Sequence, residues 1–189
     1  INDPRLYAQS IEYLQKAGAR VVVIAHIGRD PRETLKPVYE VMRQFLPIAW
    51  VGGLTDPAAA HAVAGLTDGA ALLLENVRSD PREEANDEAF AQVLAGYGDV
   101  YVNDAFADSH RAHASIVGIP KFLPSYAGLS FAREYKHLSK AFDPARPALF
   151  ALGGAKFETK LPLVERFVKK YDHVFIGGAI ANDFLKAKG

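Results

Sequence analysis

Short apolar runs rich in Val and Ile alternate along the chain with longer stretches in which apolar residues recur at helical spacing. Residues 21–24 read Val-Val-Val-Ile, a run that is typical of a strand buried on both faces. Further on, Val38, Val41, Met42 and Phe45 follow the i, i+3, i+4, i+7 spacing of an amphipathic helix. This alternation predicts βα units that feed a mostly parallel sheet.

The pattern predicts six strands and five helices, and hence an α/β fold: a three-layer sandwich with a mostly parallel, doubly wound sheet. The strands are predicted at residues 20–25, 48–51, 71–74, 99–103, 148–152 and 173–176. The helices are predicted from Pro4 to Gly18, from Thr34 onward, and over residues 57–64, 87–95 and 132–142. Residues 79–88, which carry both signs of charge, are interpreted as a solvated loop and helix start.

A segment flanked by prolines predicts a boundary between two domains. Residues 143–147 read Asp-Pro-Ala-Arg-Pro, which is typical of a rigid connector. The first predicted domain is then residues 1–142. Residues 148–189 hold only two βα units, about 40 residues, which are too few to bury a core of their own. We therefore expect an incomplete second α/β domain.

Composition narrows the classes of function. The 189 residues carry 22 basic and 22 acidic side chains, so the chain lacks the broad basic face expected of a nucleic-acid binder. Its longest apolar runs are too short to span a bilayer, which predicts no membrane partner. The absence of cysteine excludes disulfides, thiolate catalysis and Cys-ligated metals, and it fits a reducing compartment. The opening residues carry no signal-peptide pattern.

Cationic and titratable residues follow the ends of three predicted strands. The carboxyl ends of parallel strands meet at one edge of a sheet, which is where such folds bind ligands. These residues could therefore share one site for a carboxylate or phosphate. They are His26, Ile27, Gly28 and Arg29 after the first strand, residues 75–78 after the third, and residues 103–106 and 110–113, with Arg111, after the fourth.

An alternative interpretation of the same residues stays open, because most charged side chains are merely solvated or paired. His26 and His110 flank the predicted site, but a lone His is more often structural than catalytic. His110 and His113 lack a third ligand at a convincing spacing, so we predict no metal site. Each Arg could instead pair with a nearby acid such as Asp30, Glu75 or Asp108.

Two Gly-Gly pairs follow the last two predicted strands, at Gly153-Gly154 and at Gly177-Gly178. Paired glycines let a backbone approach a phosphate closely, and a helix N-terminus supplies free N–H groups. Lys156 and Lys160, one helical turn apart, could face one polyphosphate. A single Gly-Gly turn mostly indicates tight packing, but two in successive units favour a nucleotide phosphate. The Walker A pattern is absent.

The sequence presents no obvious general base. It has no Ser-His-Asp order, no nucleophile elbow and no evident carboxylate pair. If the acceptor of a phosphoryl group were itself a carboxylate, with a pKa of about 4, it would already be ionised and would need no base. Such a transfer depends on positioning the two substrates and on neutralising the charge of the phosphoryl group.

Five stretches, in order over nearly the whole chain, resemble the phosphoglycerate kinase family. Their number and order make chance similarity an inadequate explanation. They are His26-Ile27-Gly28-Arg29; Leu73-Leu74-Glu75-Asn76-Val77-Arg78; Val102-Asn103-Asp104-Ala105-Phe106 with His110-Arg111-Ala112-His113-Ala114-Ser115; Leu152-Gly153-Gly154-Ala155-Lys156; and Gly177-Gly178-Ala179-Ile180-Ala181-Asn182.

The resemblance implies a role for each matching residue. Residues 1–142 would be the acceptor domain and residues 148–189 the beginning of the nucleotide domain. Lys156 would stabilise the phosphoryl group in flight, and Arg5 would neutralise its charge. The residues implied to bind 3-phosphoglycerate or 1,3-bisphosphoglycerate are His26, Ile27, Gly28, Arg29, Arg111 and Arg146, and those implied to border the phosphates of ADP or ATP are Gly153, Gly154, Lys160, Gly177 and Gly178.

The chain also departs from the family pattern. The family's first strand, with its Asp and Asn substrate contacts, does not precede Ile1, and the Mg²⁺-binding Asp and the adenosine side do not follow Gly189. The spacing after Arg5 is shorter than in the family, and Ala179 stands where a glycine is usual. The resemblance implies reversible phosphoryl transfer between 1,3-bisphosphoglycerate and ADP, with Mg²⁺, by a cytoplasmic, monomeric glycolytic enzyme. We expect the 189 residues alone to be poorly active or inactive.

Two other classes of function stay open at this point. One is a non-catalytic, anion-binding or regulatory module that keeps the acceptor site without the nucleotide half. The other is a scaffold whose cations are all internally paired.

Overall fold

The computed structural model describes residues 4–155 and 157–189, leaving out the side chains of residues 4–7, 157 and 159. The chain divides into two compact units, one ending at Glu134 and the other beginning at Tyr135. Every strand pair in both units is parallel. Within the described residues, no helix combines the length and apolar character needed to cross a membrane.

The first unit holds two parallel sheets. Strands β1 (Val21–Val23), β2 (Ala49–Trp50) and β3 (Ala71–Leu73) form one sheet in the order β1-β3-β2. Strands β4 (Tyr101–Asn103) and β5 (Ser125–Ala127) form the other. The crossover order, with β3 central, is that of a doubly wound sheet.

Asp side chains cap two helices of the first unit. Asp56 accepts hydrogen bonds from the N–H groups of Ala58 and Ala59, and Asp87 accepts one from Phe90. The helices are α1 (Pro4–Lys16), α2 (Lys36–Met42), α3 (Pro57–Ala64), α4 (Glu88–Ala95) and α5 (Leu129–Ser139), the last of which continues across the division between the units.

Alternate residues of β3 and its continuation enter two separate cores. Leu72 and Leu74 belong to a cluster with Phe90 and Leu94 of α4. Leu73 belongs to a second cluster that contains residues of α1 and α2. Successive side chains of a strand point to opposite faces, so the central strand is covered on both. This is the three-layer arrangement that the sequence predicts, and the α/β fold class is confirmed.

Some elements differ from the sequence prediction. All six predicted strands are present, but β5 was missed, because its residues Ser-Tyr-Ala are exposed and give no apolar signal. Helix α2 begins at Lys36 rather than Thr34, whose hydroxyl accepts the Lys36 N–H. The helix predicted over residues 132–142 is α5 followed by a 3-10 turn at Lys140–Phe142.

The second unit is a pair of βα elements. Strands β6 (Leu149–Leu152) and β7 (His173–Ile176) pair in parallel, and helices α6 (Phe157–Phe167) and α7 (Ala179–Lys188) follow them. The Tyr171 hydroxyl donates to the Ala141 carbonyl. Such contacts tie residues before 143 to this unit, which explains why the units divide at 134/135. The connector at 143–147 stays a prediction.

We expect Phe90→Ala to destabilise the first unit by about 3–5 kcal/mol, because the Phe90 side chain is fully buried and its loss leaves a cavity. The measurement is urea unfolding followed by circular dichroism. Val93→Ala, on the exposed side of the same helix, is the matched control and should cost less than about 1 kcal/mol. Equal effects of the two substitutions would contradict this account of the core.

Candidate functional site

The Asn76 side chain joins the segments that follow β1 and β3. It is fully buried, and its Nδ2 donates to the Ile27 carbonyl at 3.1 Å and to the Glu33 carbonyl at 2.8 Å. Its Oδ1 accepts the N–H groups of Ile27 and Arg78. Both ends of the amide are therefore satisfied, and the backbone of residues 26–29, here called the 26–29 loop, is fixed against the end of β3.

Arg78 makes a second connection to this loop. It lies on the 3-10 turn Val77–Ser79, and its Nη1 donates to the Gly28 carbonyl at 2.7 Å. Its Nε lies 3.5 Å from a carboxylate oxygen of Glu84. The guanidinium is thus held beside the loop.

His26 and Arg111 approach the same carboxylate. The His26 Nε2 lies 3.9 Å from Oδ1 of Asp108, and the Arg111 Nε lies 3.3 Å from it. Burial lowers the pKa of His26 below its usual 6.5, and the positive charge of Arg78 lowers it further, against the opposing effect of Asp108. His26 is therefore mostly neutral at pH 7. Arg111 is paired with an acid, as the alternative interpretation of the sequence allows.

Arg29 differs from these residues because it is exposed, and among the described residues it has no hydrogen-bond or ion-pair partner. The nearby Asp30 is engaged by Arg32 through two nitrogens of the guanidinium. Glu75 accepts hydrogen bonds from the Thr34 hydroxyl and other local donors rather than from an Arg. Arg29 is therefore available to an anion, which disagrees with the scaffold hypothesis that every cation is paired.

A cavity of about 260 Å³ opens beside His26 and Asp108. Its walls combine imidazole, carboxylate and hydroxyl groups with apolar side chains. The residues that carry those polar groups are His26, Glu83, Asp108, His113 and Ser115.

Glu83 is the buried polar centre of this cavity wall. Only 2% of its surface is exposed. Its carboxylate accepts the Ser115 N–H at 2.9 Å and the Ser115 hydroxyl, and its backbone carbonyl accepts the N–H of Ala114. The His113 Nδ1 lies 3.8 Å from the same carboxylate. Glu83 thereby holds the start of the π turn Ala114–Gly118, just after Arg111.

The burial of Glu83 corrects the interpretation of residues 79–88 as a wholly solvated loop. A Glu in a run of mixed charge gives no local signal of burial, because its hydrogen-bond partners lie more than 30 residues away. Asn76 and Arg78 belong to the strand-end stretch 75–78 that the sequence predicts at an anion site, but their hydrogen bonds to the 26–29 loop are visible only in the structure. His110 lies at the surface, where its ring contacts the Ala107 carbonyl.

The Gly-Gly turns of the second unit contact each other. Gly178, at φ +68°, would place a Cβ 3.1 Å from the backbone nitrogen of Gly154, and the Ile180 N–H donates to the Gly154 carbonyl. Lys160 lies on α6, and a Cβ at Gly154 would lie 3.9 Å from its Cε. Gly178 is thus required by close packing and by its left-handed conformation. A role in phosphate binding stays a prediction for both turns.

Arg146 is tied within the second unit. Its guanidinium donates to the Asp172 carboxylate and to the Lys170 carbonyl. Lys156 and the side chain of Arg5 lie outside the described residues. The described part of the chain brings no three His, Asp or Glu side chains together in a way that could hold a metal ion, so no Mg²⁺ ligand set is assigned to it.

The sequence profile of a family described as phosphoglycerate kinase matches residues 3–189. The phosphoglycerate kinase of Caulobacter vibrioides (strain NA1000 / CB15N) is 46% identical over 198 residues, which cover 100% of this chain and 50% of the relative. That of Bartonella quintana (strain Toulouse) is 44% identical over 191 residues, which cover 97% of this chain and 48% of the relative. The chain thus spans about half the length of the curated relatives it matches.

Solved structures give the same family. The crystal structure of phosphoglycerate kinase from Pyrococcus horikoshii OT3 matches with a TM-score of 0.88 and 29% identity, over 98% of this chain and 50% of that one. The structure of phosphoglycerate kinase from Coxiella burnetii matches with a TM-score of 0.84 and 32% identity, over 100% and 50%. The resemblance noted in the sequence is confirmed.

We expect Glu83→Gln to destabilise the first unit by about 1–3 kcal/mol, because an amide NH₂ would face donors where a carboxylate oxygen now accepts. In a double-mutant cycle with Ser115→Ala, measured by urea unfolding, the coupling energy should be about 1 kcal/mol or more. Glu40→Gln, at an exposed position on α2, is the control. Additive effects of the Glu83 and Ser115 substitutions would contradict the contact.

We expect stability to fall on acidification below pH 6.5 in a manner that depends on His26. The pKa of His26 is lower in the native state than its usual 6.5, so in this range the unfolded chain binds more protons and acid favours unfolding. Urea unfolding at a series of pH values should give a smaller loss for His26→Asn than for the native chain, with His137→Asn as control. An identical loss in the native chain and His26→Asn would show that His26 is not responsible.

Proposed function

Since the chain belongs to the phosphoglycerate kinase family, we propose that its function is the reversible transfer of a phosphoryl group between 1,3-bisphosphoglycerate and ADP, which gives 3-phosphoglycerate and ATP. In this role the first unit binds the phosphoglycerate. The second unit contributes to binding the nucleotide. Family membership supports the reaction, and the geometry of the first unit supports the location of the acceptor.

The observation that most supports the acceptor site is that the backbone around Arg29 is fixed whereas the Arg29 side chain has no partner in the described part of the chain. The backbone of the 26–29 loop is fixed by Asn76 and Arg78, yet the Arg29 side chain is exposed and has no partner among the described residues. Because the backbone is already fixed, binding an anion has to order only the Arg29 side chain. Arg111 and His26 would supply further hydrogen-bond donors, and the Asp108 carboxylate that both approach keeps them oriented until a ligand competes for Arg111.

The proposed chemistry needs no base in the first unit. The acceptor oxygen in the direction of ATP consumption belongs to the carboxylate of 3-phosphoglycerate, which is ionised at neutral pH. That oxygen forms the new P–O bond while the bond from the γ-phosphorus to the ADP oxygen breaks. The residues described in the first unit bind and orient the acceptor. Bringing the two substrates together would exclude water from the reacting atoms.

The remaining roles are proposed from the family. Lys156 and Arg5 would face the transferring group, and Gly153, Gly154, Lys160, Gly177 and Gly178 would border the nucleotide phosphates. Arg146 would have to exchange its contact with Asp172 for the substrate. Mg²⁺ would enter with ADP or ATP and neutralise phosphate charge. A glycolytic role favours a cytoplasmic, monomeric enzyme.

A scaffold without a ligand is the alternative that the paired state of Arg111 and Arg146 supports. The two hypotheses differ in whether the chain binds 3-phosphoglycerate at all. They differ also in whether a substitution at Arg29 changes anything that can be measured.

We expect the chain to bind 3-phosphoglycerate saturably in isothermal titration calorimetry. Arg29→Ala and Arg111→Ala should each weaken binding by about 10- to 150-fold, which corresponds to loss of a charge-assisted hydrogen bond of about 1.5–3 kcal/mol. Arg43→Ala removes an exposed Arg paired with Glu40 on α2, and it controls for loss of one positive charge. No binding by a folded native chain would favour the scaffold.

A further inference from the structure

Asp108 is the charged partner of the Arg111 side chain. It ends the 3-10 turn Phe106–Asp108, and its Oδ1 lies 3.3 Å from the Arg111 Nε. The Arg111 N–H also donates to the Asp108 backbone carbonyl at 2.9 Å, so the local turn brings the two charges together. Among the described residues, the Arg111 side chain has no other polar partner. A carboxylate of the protein itself therefore occupies a cation that an anionic ligand would need.

Asp108 and Arg111 form an ion pair without a hydrogen bond. No donor in the described part of the chain meets hydrogen-bond geometry at the Asp108 carboxylate, whose second contact is His26 at 3.9 Å. By contrast, Asp30 accepts hydrogen bonds from two nitrogens of Arg32. Because His26 is mostly neutral at pH 7, it adds little attraction. The contact between Asp108 and Arg111 is thus weak enough for a ligand to replace.

A ligand can reach this ion pair from solvent. The Asp108 side chain is 25% exposed and the Arg111 side chain 35%, and Asp108 lines the cavity beside His26. A phosphate or carboxylate group can accept two parallel hydrogen bonds from a guanidinium, which the Asp108 carboxylate does not do. An incoming anion can therefore form a stronger contact with Arg111 than Asp108 does.

The backbone around Arg111 does not depend on the charge of Asp108. The Arg111 N–H donates to a backbone carbonyl, which the substitution Asp108→Asn keeps. Further along the chain, the N–H groups of Ala114 and Ser115 donate to the carbonyl and the carboxylate of Glu83. The negative charge can therefore be removed while the position of the Arg111 backbone is retained.

We propose that the Asp108 carboxylate is an internal anion that Arg111 must exchange for 3-phosphoglycerate, and that Asp108 thereby limits the affinity of the acceptor site. This inference rests on the proposed function and deepens it. Asp108 acts through Arg111 and does not itself bind the substrate. In the free chain the guanidinium faces Asp108, and in the bound chain it faces a phosphate or carboxylate oxygen of the ligand.

The first test is isothermal titration calorimetry of 3-phosphoglycerate into the 189-residue chain and its Asp108→Asn variant. The variant should bind about fivefold more tightly, because binding no longer breaks a part-exposed ion pair. Asp68→Asn is the matched control: it removes one negative charge from an exposed Asp that lies 3.9 Å from Arg20. This control should change the affinity by less than about twofold.

A double variant distinguishes competition for Arg111 from general repulsion of an anion. If Asp108 acts through Arg111, the substitution Asp108→Asn should change the affinity by less than about twofold when Arg111 is already Ala, with weak binding measured by NMR titration. An equal gain in both backgrounds would overturn the inference, because repulsion by the Asp108 charge does not require Arg111.

His26 gives a spectroscopic readout of the same carboxylate. Asp108 and Glu84 raise the pKa of His26, whereas burial, Arg78 and His113 lower it. NMR titration should therefore show a lower pKa of His26 in Asp108→Asn than in the native chain. The Asp68→Asn control should leave this pKa unchanged. An unchanged pKa in a folded Asp108→Asn variant would show that the carboxylate does not lie beside His26 and would overturn the inference.

The outcomes distinguish this inference from the proposed function. If the native chain binds 3-phosphoglycerate and Asp108→Asn binds it no more tightly, the role of Asp108 is wrong and the acceptor site stands. If neither folded chain binds it, the proposed acceptor function fails and this inference with it. Binding by Asp108→Asn alone would support Asp108 as an internal anion and would contradict an acceptor function of the native chain.

Discussion

The hydrogen bonds of one buried amide, the Asn76 side chain, are the constraint on which the candidate acceptor site depends. Its two donors and its oxygen bind the backbones of Ile27, Glu33 and Arg78. A buried amide that lost these partners would keep the full cost of its desolvation. The segment after β1 and the turn after β3 can therefore separate only at considerable free-energy cost. This local rigidity gives the 26–29 loop one conformation.

Some polar groups around this amide are used in hydrogen bonds that hold the fold, and others stay free to bind a ligand. Glu75 accepts hydrogen bonds from the Thr34 hydroxyl and the Leu35 N–H, and Glu83 holds Ser115. These two carboxylates, of which Glu83 is buried, order the loops at the carboxyl edge of the strands. The exposed Arg29 lies on a backbone segment that such contacts fix, but its side chain takes part in none of them. Under the proposed function, this division lets an anion bind with little rearrangement of the backbone.

Much of the fold could be predicted from the sequence, because its signals are local. Consecutive Val residues identify β1, and the Asp-Pro start of α3 identifies a helix. The exposed Ser-Tyr-Ala of β5 gave no such signal, since its strand pairing with β4 depends on residues more than 20 positions away. For the proposed site, strand-end positions in the sequence give Arg29 and Arg111 as candidates. The burial of Glu83, the pairing of Arg111 with Asp108 and the contact between the two Gly-Gly turns are properties of the folded chain that spacing alone does not encode.

The most direct measurement of the central claim is NMR mapping of ligand contacts on the isotope-labelled chain. If the first unit holds the acceptor site, 3-phosphoglycerate should shift the backbone amide signals of Ile27, Gly28 and Arg29 and those near Arg111. The signals of Gly153 and Gly177 should be unaffected by it. Shifts confined to the Gly-Gly turns, with none in the 26–29 loop, would contradict the account.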